Sequence, residues 1–186
     1  MVTKTETTEI ITEPRLQQAS QPSFKRWIRH FCYLPASKRY FSKMDQNAIA
    51  EAVKQAEQGH VGEIQVVIEG YIPCALAYSM NTRQRAEQLF AELGVWDTEF
   101  NSGVLIYLNL CEQKVEIVID RGIQKATTQQ DWQAICDHMI RELKNKNYKQ
   151  GVIVGVMEVV EILNRFYDDK VQDLENELSN QPIILN

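Results

Sequence analysis

The order of apolar patterns along this 186-residue chain predicts an α/β fold: a three-layer α/β/α sandwich with a small mixed sheet of three or four strands flanked by helices. Three observations carry that reading. Residues 64–68 form an apolar run interrupted only by Gln65, which suits a central strand covered on both faces. Ala86, Leu89, Phe90 and Leu93 then recur at i, i+3, i+4 and i+7 ahead of Gly94, a helix and its stop. A strand, a helix and a further strand in that order imply a right-handed crossover between parallel strands. Finally, residues 104–108 and 115–119 are joined by the short turn Cys111-Glu-Gln-Lys114, which reads as an antiparallel hairpin.

The remaining elements follow from local chemistry. Residues 1–22 are rich in Thr, Glu and Gln and offer too little apolar surface to offset the entropy of ordering, so they read as a disordered tail. Residues 23–41 form a basic amphipathic segment, in which Phe24, Trp27, Ile28, Phe31 and Cys32 recur at helical spacing among Lys25, Arg26, Arg29 and His30. Ser42-x-x-Asp45 is a capping box for a helix that carries Ile49, Val53 and Ala56 and stops at Gly59. Residues 70–77 read as a loop or a short extra strand. Thr128-x-x-Asp131 opens a helix faced by Trp132, Ile135, Cys136, Met139, Ile140 and Leu143. A last helix over about 149–167 carries Val152, Val156, Val159, Val160 and Leu163, with Gly151 and Gly155 one turn apart for close packing on the sheet. The predicted domain therefore spans 42–167, and 168–186 is an acidic extension ending in the apolar tail Pro182-Ile-Ile-Leu185.

Charge is distributed unevenly. Lys25, Arg26, Arg29, Lys38, Arg39 and Lys43 place six cations and no acid between residues 23 and 43. From Met44 onward 12 basic and 22 acidic residues leave −10. That acidic body repels phosphate, and the basic arm carries no recognisable reading motif, which argues against nucleic acid as a partner. The arm suits an anionic membrane surface through residues 24–43, the core of its own domain, or the acidic body of a second copy. Cys32, Cys74, Cys111 and Cys136 are scattered without zinc-site spacing and read as reduced, mostly buried thiols. The start of the chain lacks the apolar core of a signal peptide, and no window approaches the roughly 20 apolar residues that span a bilayer. The reading is cytoplasmic, with peripheral membrane attachment left open.

The hairpin selects a candidate site, because the end of its second strand lies beside the start of its first. That brings Asp120 towards Asp97, Glu99 and Asn101. Hard cations such as Ca²⁺ take roughly six to eight oxygen ligands, and these four residues with water are a plausible shell. The competing reading is structural: Asp97 caps a turn, and Asp120 pairs with Arg121 or a backbone amide. For phosphoryl transfer the chain has no Cys-x₅-Arg loop and no Asp-x-Asp nucleophile pair, so hydrolysis would need metal-bound water. Arg121 is then the group to face phosphate and His60 a candidate base or ligand, against their roles as an ion-pair partner and an exposed loop histidine. His138 is expected to face solvent. A second ligand location lies beyond the carboxyl ends of the parallel strands, at Glu69, Gly70, the loop of residues 72–77 and the turn Cys111-Glu112-Gln113.

Gly62-Glu-Ile-Gln-Val-Val-Ile68, Asn101-Ser-Gly-Val-Leu-Ile106, Asp120-Arg-Gly-Ile123 and Tyr148-Lys-Gln-Gly151 together resemble the TPM domain family, over roughly residues 42–167. Val95-Trp-Asp-Thr-Glu99 resembles its small bacterial branch without a transmembrane tail. The resemblance implies an α/β sandwich, divalent-cation binding as in some members, the acid phosphatase activity attributed to a plant member, and upkeep of membrane complexes. The function predicted is a cation-binding accessory module, Ca²⁺ favoured, that serves a protein partner in the assembly or maintenance of a membrane-associated complex. The alternative is a divalent-metal-dependent phosphomonoester hydrolase.

Overall fold

The computed structural model describes residues 21–33, 39–58, 61–124, 127–165 and 177–185. In chain order the elements are α1 (Phe24–Phe31), α2 (Lys43–Ala56), β1 (Glu63–Glu69), α3 (Cys74–Ala77), α4 (Thr82–Glu92), β2 (Gly103–Asn109), β3 (Lys114–Ile119), α5 (Arg121–Gln124), α6 (Gln129–Lys144), α7 (Tyr148–Asn164) and β4 (Ile183–Leu185). The strands form one sheet in the order β3-β2-β1-β4. β1 runs parallel to β2 with Ile64 opposite Val104, and β2 runs antiparallel to β3 with Val104 opposite Ile119.

Side chains alternate across each strand, so every strand feeds two cores. Ile64, Val66, Ile68, Val104, Ile106 and Ile117 enter the larger core with residues of α2, α6 and α7. Val67, Leu105, Tyr107 and Val118 enter a smaller one with Ala86, Leu89 and Phe90 of α4. Three helices on one face and α4 on the other make the predicted three-layer sandwich.

Both predicted capping boxes form, at Ser42/Asp45 and Thr128/Asp131, and Asn81 with Gln84 makes a third at the start of α4. Residues 70–77 contain no strand; they hold the one-turn helix α3, which begins directly after Pro73. The apolar tail Pro182-Ile-Ile-Leu185 returns to the sheet, and its β4 pairs parallel with β1, Val67 opposite Ile183. Of the thiols only Cys136 is buried; Cys74 and Cys111 are half-buried and Cys32 is exposed. His138 does not face solvent freely: its Nδ1 lies 2.6 Å from Oε1 of Glu158, joining α6 to α7.

The α4 face of the sheet is more polar than a doubly covered strand predicts. Glu69 is 1% exposed, and its Oε1 accepts from Arg85 Nη2 at 2.8 Å while its Oε2 accepts from the Tyr107 hydroxyl at 2.6 Å. Asn109 Nδ2 donates to that same hydroxyl oxygen at 2.9 Å. Burial first, and then the Glu69 charge, push the Tyr107 phenol well above its ordinary range. Alongside, Glu116 accepts from Thr82 Oγ1 at 2.6 Å. Burial raises the Glu116 carboxyl to about 7, against the opposing pull of Thr82 and Arg83.

Candidate functional site

The amino end of β2 and the carboxyl end of β3 meet at one sheet edge, where the hairpin argument puts them. The Asp120 amide donates to the Gly103 carbonyl at 3.0 Å, and the Gly122 amide to the Asn101 carbonyl at 3.1 Å. The loop before β2 is wound tightly to get there. Asn101 N–H donates to Thr98 O, Ser102 N–H to Thr98 Oγ1 at 2.9 Å, and Asn101 takes the left-handed backbone with φ of 51°. Asparagine tolerates that conformation better than most side chains. Gly103 is required here because a Cβ would run into the Val95 carbonyl.

Within this edge the predicted residues differ in environment. Asp120 is 7% exposed, its Oδ1 accepts from the Arg121 amide at 2.6 Å, and its Oδ2 is buried with no hydrogen-bond partner among the described residues. Burial raises the Asp120 carboxyl above its ordinary value, and the Arg121 amide and guanidinium pull the other way. Asp97, Glu99, Asn101 and Arg121 are exposed. The structural alternative therefore accounts for one Asp120 oxygen and leaves the other unexplained. His60 lies outside the described residues.

Two acids at this edge escaped sequence reasoning. The Glu99 amide donates to both Glu177 carboxylate oxygens, at 3.0 and 3.2 Å. Glu63, 4% exposed at the start of β1, accepts from the Leu178 amide at 3.1 Å. No local pattern could have found Glu177, because only the pairing of β4 with β1 brings residues 177–185 back to this end of the sheet.

Among the described residues no three His, Cys, Asp or Glu side chains converge as a metal cage would. What fits a hard cation is sparser: the unpartnered Asp120 oxygen and water, with exposed Asn101 in the loop whose backbone pairs with Gly122. Affinity for Ca²⁺ rises with the number of charged ligands, and a site with so few belongs at the weak end, roughly 10⁻⁴–10⁻³ M.

The second predicted location, beyond the carboxyl ends of β1 and β2, is largely filled by protein. His30 of α1 is 1% exposed; its Nδ1 accepts from the Ile72 amide at 3.1 Å and its Nε2 lies 3.0 Å from Glu112 Oε1. Burial acts to raise the Glu112 carboxyl, but the His30 hydrogen bond and the Lys114 charge together bring it below its ordinary value. A cavity of about 130 Å³ remains beside this contact, lined by Tyr33, Tyr40, Cys111, Lys144 and Tyr148 over an apolar floor.

The architecture is thus an α/β/α sandwich whose functional candidates gather where the β2–β3 hairpin closes. The family model for the TPM domain matches residues 36–162, and the chain belongs to that family. The NMR structure of the BA42 protein from the psychrophilic bacterium Bizionia argentinensis is similar to it at 26% identity, with a TM-score of 0.68 over 77% of this chain and 94% of that one. The N-terminal domain of a P. gingivalis protein shares the fold at 20% identity and a TM-score of 0.61, over 74% of this chain and 85% of that one. The N-terminal domain of cg2496 from Corynebacterium glutamicum shares it at 12% identity and a TM-score of 0.53, over 76% and 84%. No curated protein matches the chain. Among the described residues no helix is long and apolar enough to cross a membrane.

Proposed function

We propose that this TPM-domain protein is an accessory module that binds a divalent cation, Ca²⁺ favoured, at the Asp97, Glu99, Asn101 and Asp120 edge, and that it serves a protein partner in the assembly or maintenance of a membrane-associated complex. One observation supports the cation reading above the others. The Asp120 Oδ2 is buried without a hydrogen-bond partner among the described residues, and a buried carboxylate oxygen left that way costs free energy unless a proton or a cation meets it. Exposed Asp97 and Glu99 add negative potential at the mouth of the same edge. They sit there with solvent around them, an arrangement suited to capturing a hydrated ion rather than stripping it.

Calorimetric titration of the protein with Ca²⁺ tests the reading. Saturable binding in the submillimolar to millimolar range, lost in Asp120→Asn, is the expected result. An absence of binding heat and of thermal stabilisation at millimolar Ca²⁺ would leave the edge a structural cluster and overturn the proposal.

A further inference from the structure

Helix α1 is mounted inside out. At about 100° per residue, Phe24, Trp27, Ile28 and Phe31 share one arc of the helix while Arg26 and His30 lie on the other side. It is the polar side that faces the protein. His30 is buried between the Ile72 amide and Glu112, and Arg26 donates to the carbonyls of Ala77 at 2.7 Å and Tyr78 at 3.0 Å. The Ser23 amide donates to the same Tyr78 carbonyl at 2.9 Å. The apolar side is left outward: Phe24 is 63% exposed, Ile28 42% and Phe31 64%. The rings on this side stack on one another, Phe24 on Trp27 and Trp27 on Phe31, at centroid spacings of 5.5 and 5.2 Å. This disposes of one sequence-based option for the basic arm, that its aromatic stripe packs on the core of its own domain.

We propose that this aromatic face is a docking surface for an anionic lipid bilayer, on which α1 lies in plane. The proposal stands apart from the cation reading and does not depend on it. Charge selects the occupant. Lys25 and Arg29 are exposed on the flank of the aromatic arc. Residues 23–43 hold six cations and no acid, whereas the chain from Met44 onward is net −10. A negative surface therefore orients the molecule with α1 leading and the acidic body turned away. Aromatic rings flanked by Lys and Arg are the composition that settles at the boundary of headgroups and acyl chains. A second copy packed antiparallel on this face would set the Lys25 and Arg29 flank against the same flank, which opposes that pairing.

The test is flotation of the full chain, in the presence of chelator, with vesicles of phosphatidylcholine and phosphatidylglycerol or of phosphatidylcholine alone. Docking predicts binding to the anionic vesicles that weakens as salt is raised. The charge-reversed Lys25→Glu/Arg29→Glu variant should bind at least about tenfold more weakly. Phe24→Ser/Phe31→Ser should also lose binding while keeping the wild-type melting temperature, since both rings are exposed. No binding at low salt, binding that requires Ca²⁺, or equal binding to neutral vesicles would each overturn the proposal. A dimer in sedimentation velocity that dissociates in the Phe24→Ser/Phe31→Ser variant would assign the face to a second copy and overturn it as well.

Discussion

Gly122 lies so close to the carbonyl of Asn101 that a Cβ at position 122 would overlap it, while its amide donates to that carbonyl at 3.1 Å. The exit of β3 and the loop before β2 are locked by this contact, and the neighbouring Phe100 carbonyl, 2.9 Å from the same hypothetical Cβ, closes the other side. Backbone on both sides cannot give way as a flexible side chain would. Gly122→Ala is therefore expected to destabilise the fold by about 1–3 kcal/mol, measured by urea denaturation. A change within a few tenths of a kcal/mol would show that the loop 97–102 relaxes freely.

Calcium should stabilise the wild-type protein and not Asp120→Asn. Ligand that binds the folded state alone adds RT ln(1 + [L]/Kd), about 1.4 kcal/mol when its concentration is ten times Kd. The amide variant removes a buried charge, so without Ca²⁺ it should melt no lower than wild type at neutral pH. A thermal shift with Ca²⁺ that persists undiminished in Asp120→Asn would move the site elsewhere.

Phosphate-ester hydrolysis separates the accessory reading from its enzymatic alternative. With a chromogenic phosphomonoester across pH and with added divalent metal, no turnover above background is expected. Turnover abolished by chelator and by Asp120→Ala would establish the hydrolase instead and would make Arg121 the group to test next.

Stability should fall as pH rises from about 4.5 to about 7, in part because of Glu116. Burial raises this carboxyl from 4.5 to about 7. Between those values the folded chain holds a proton that the unfolded chain has released, so the contribution is full below the unfolded value and is lost as pH climbs through the folded one. A shift of this size corresponds to about 3 kcal/mol at most. Glu116→Gln keeps the shape without the charge and should flatten the decline, melting higher than wild type at pH 8 and close to it at pH 4.5. Equal pH slopes for the two proteins in thermal melts would assign the dependence to other groups, among them Glu57, which burial raises to about 8.

His30→Ala should cost about 1–3 kcal/mol, because it leaves the Ile72 amide and the Glu112 carboxylate without their buried partner. The loss should be local before it is global. Proteolysis at Lys25 and Arg29 under native conditions is expected to accelerate well ahead of cleavage within the sheet, and uniform acceleration throughout the chain would show that α1 is not anchored by this residue.

What the sequence determined by itself is whatever rests on short-range chemistry. Apolar spacing located the helices faced by Ile49, by Leu89 and by Trp132, Ser42/Asp45 and Thr128/Asp131 announced the caps of the first and the last of these, and the short turn at residues 111–114 forced the hairpin that brings Asp120 to Asn101. The same spacing also marked α1 as amphipathic, but periodicity says only that two faces differ. Which one turns inward depended on partners distant in the chain, the Ile72 amide, Glu112 and the carbonyls of Ala77 and Tyr78, and these chose the polar side. Long-range pairing likewise decided the fate of residues 183–185, whose three-residue strand has too little local signal to register until β1 offers it an open edge. Tertiary packing alone turned Glu69, Arg85 and Tyr107 into a buried polar cluster and left one oxygen of Asp120 without a partner, because burial and hydrogen-bond satisfaction belong to the assembled layers and not to any stretch of chain.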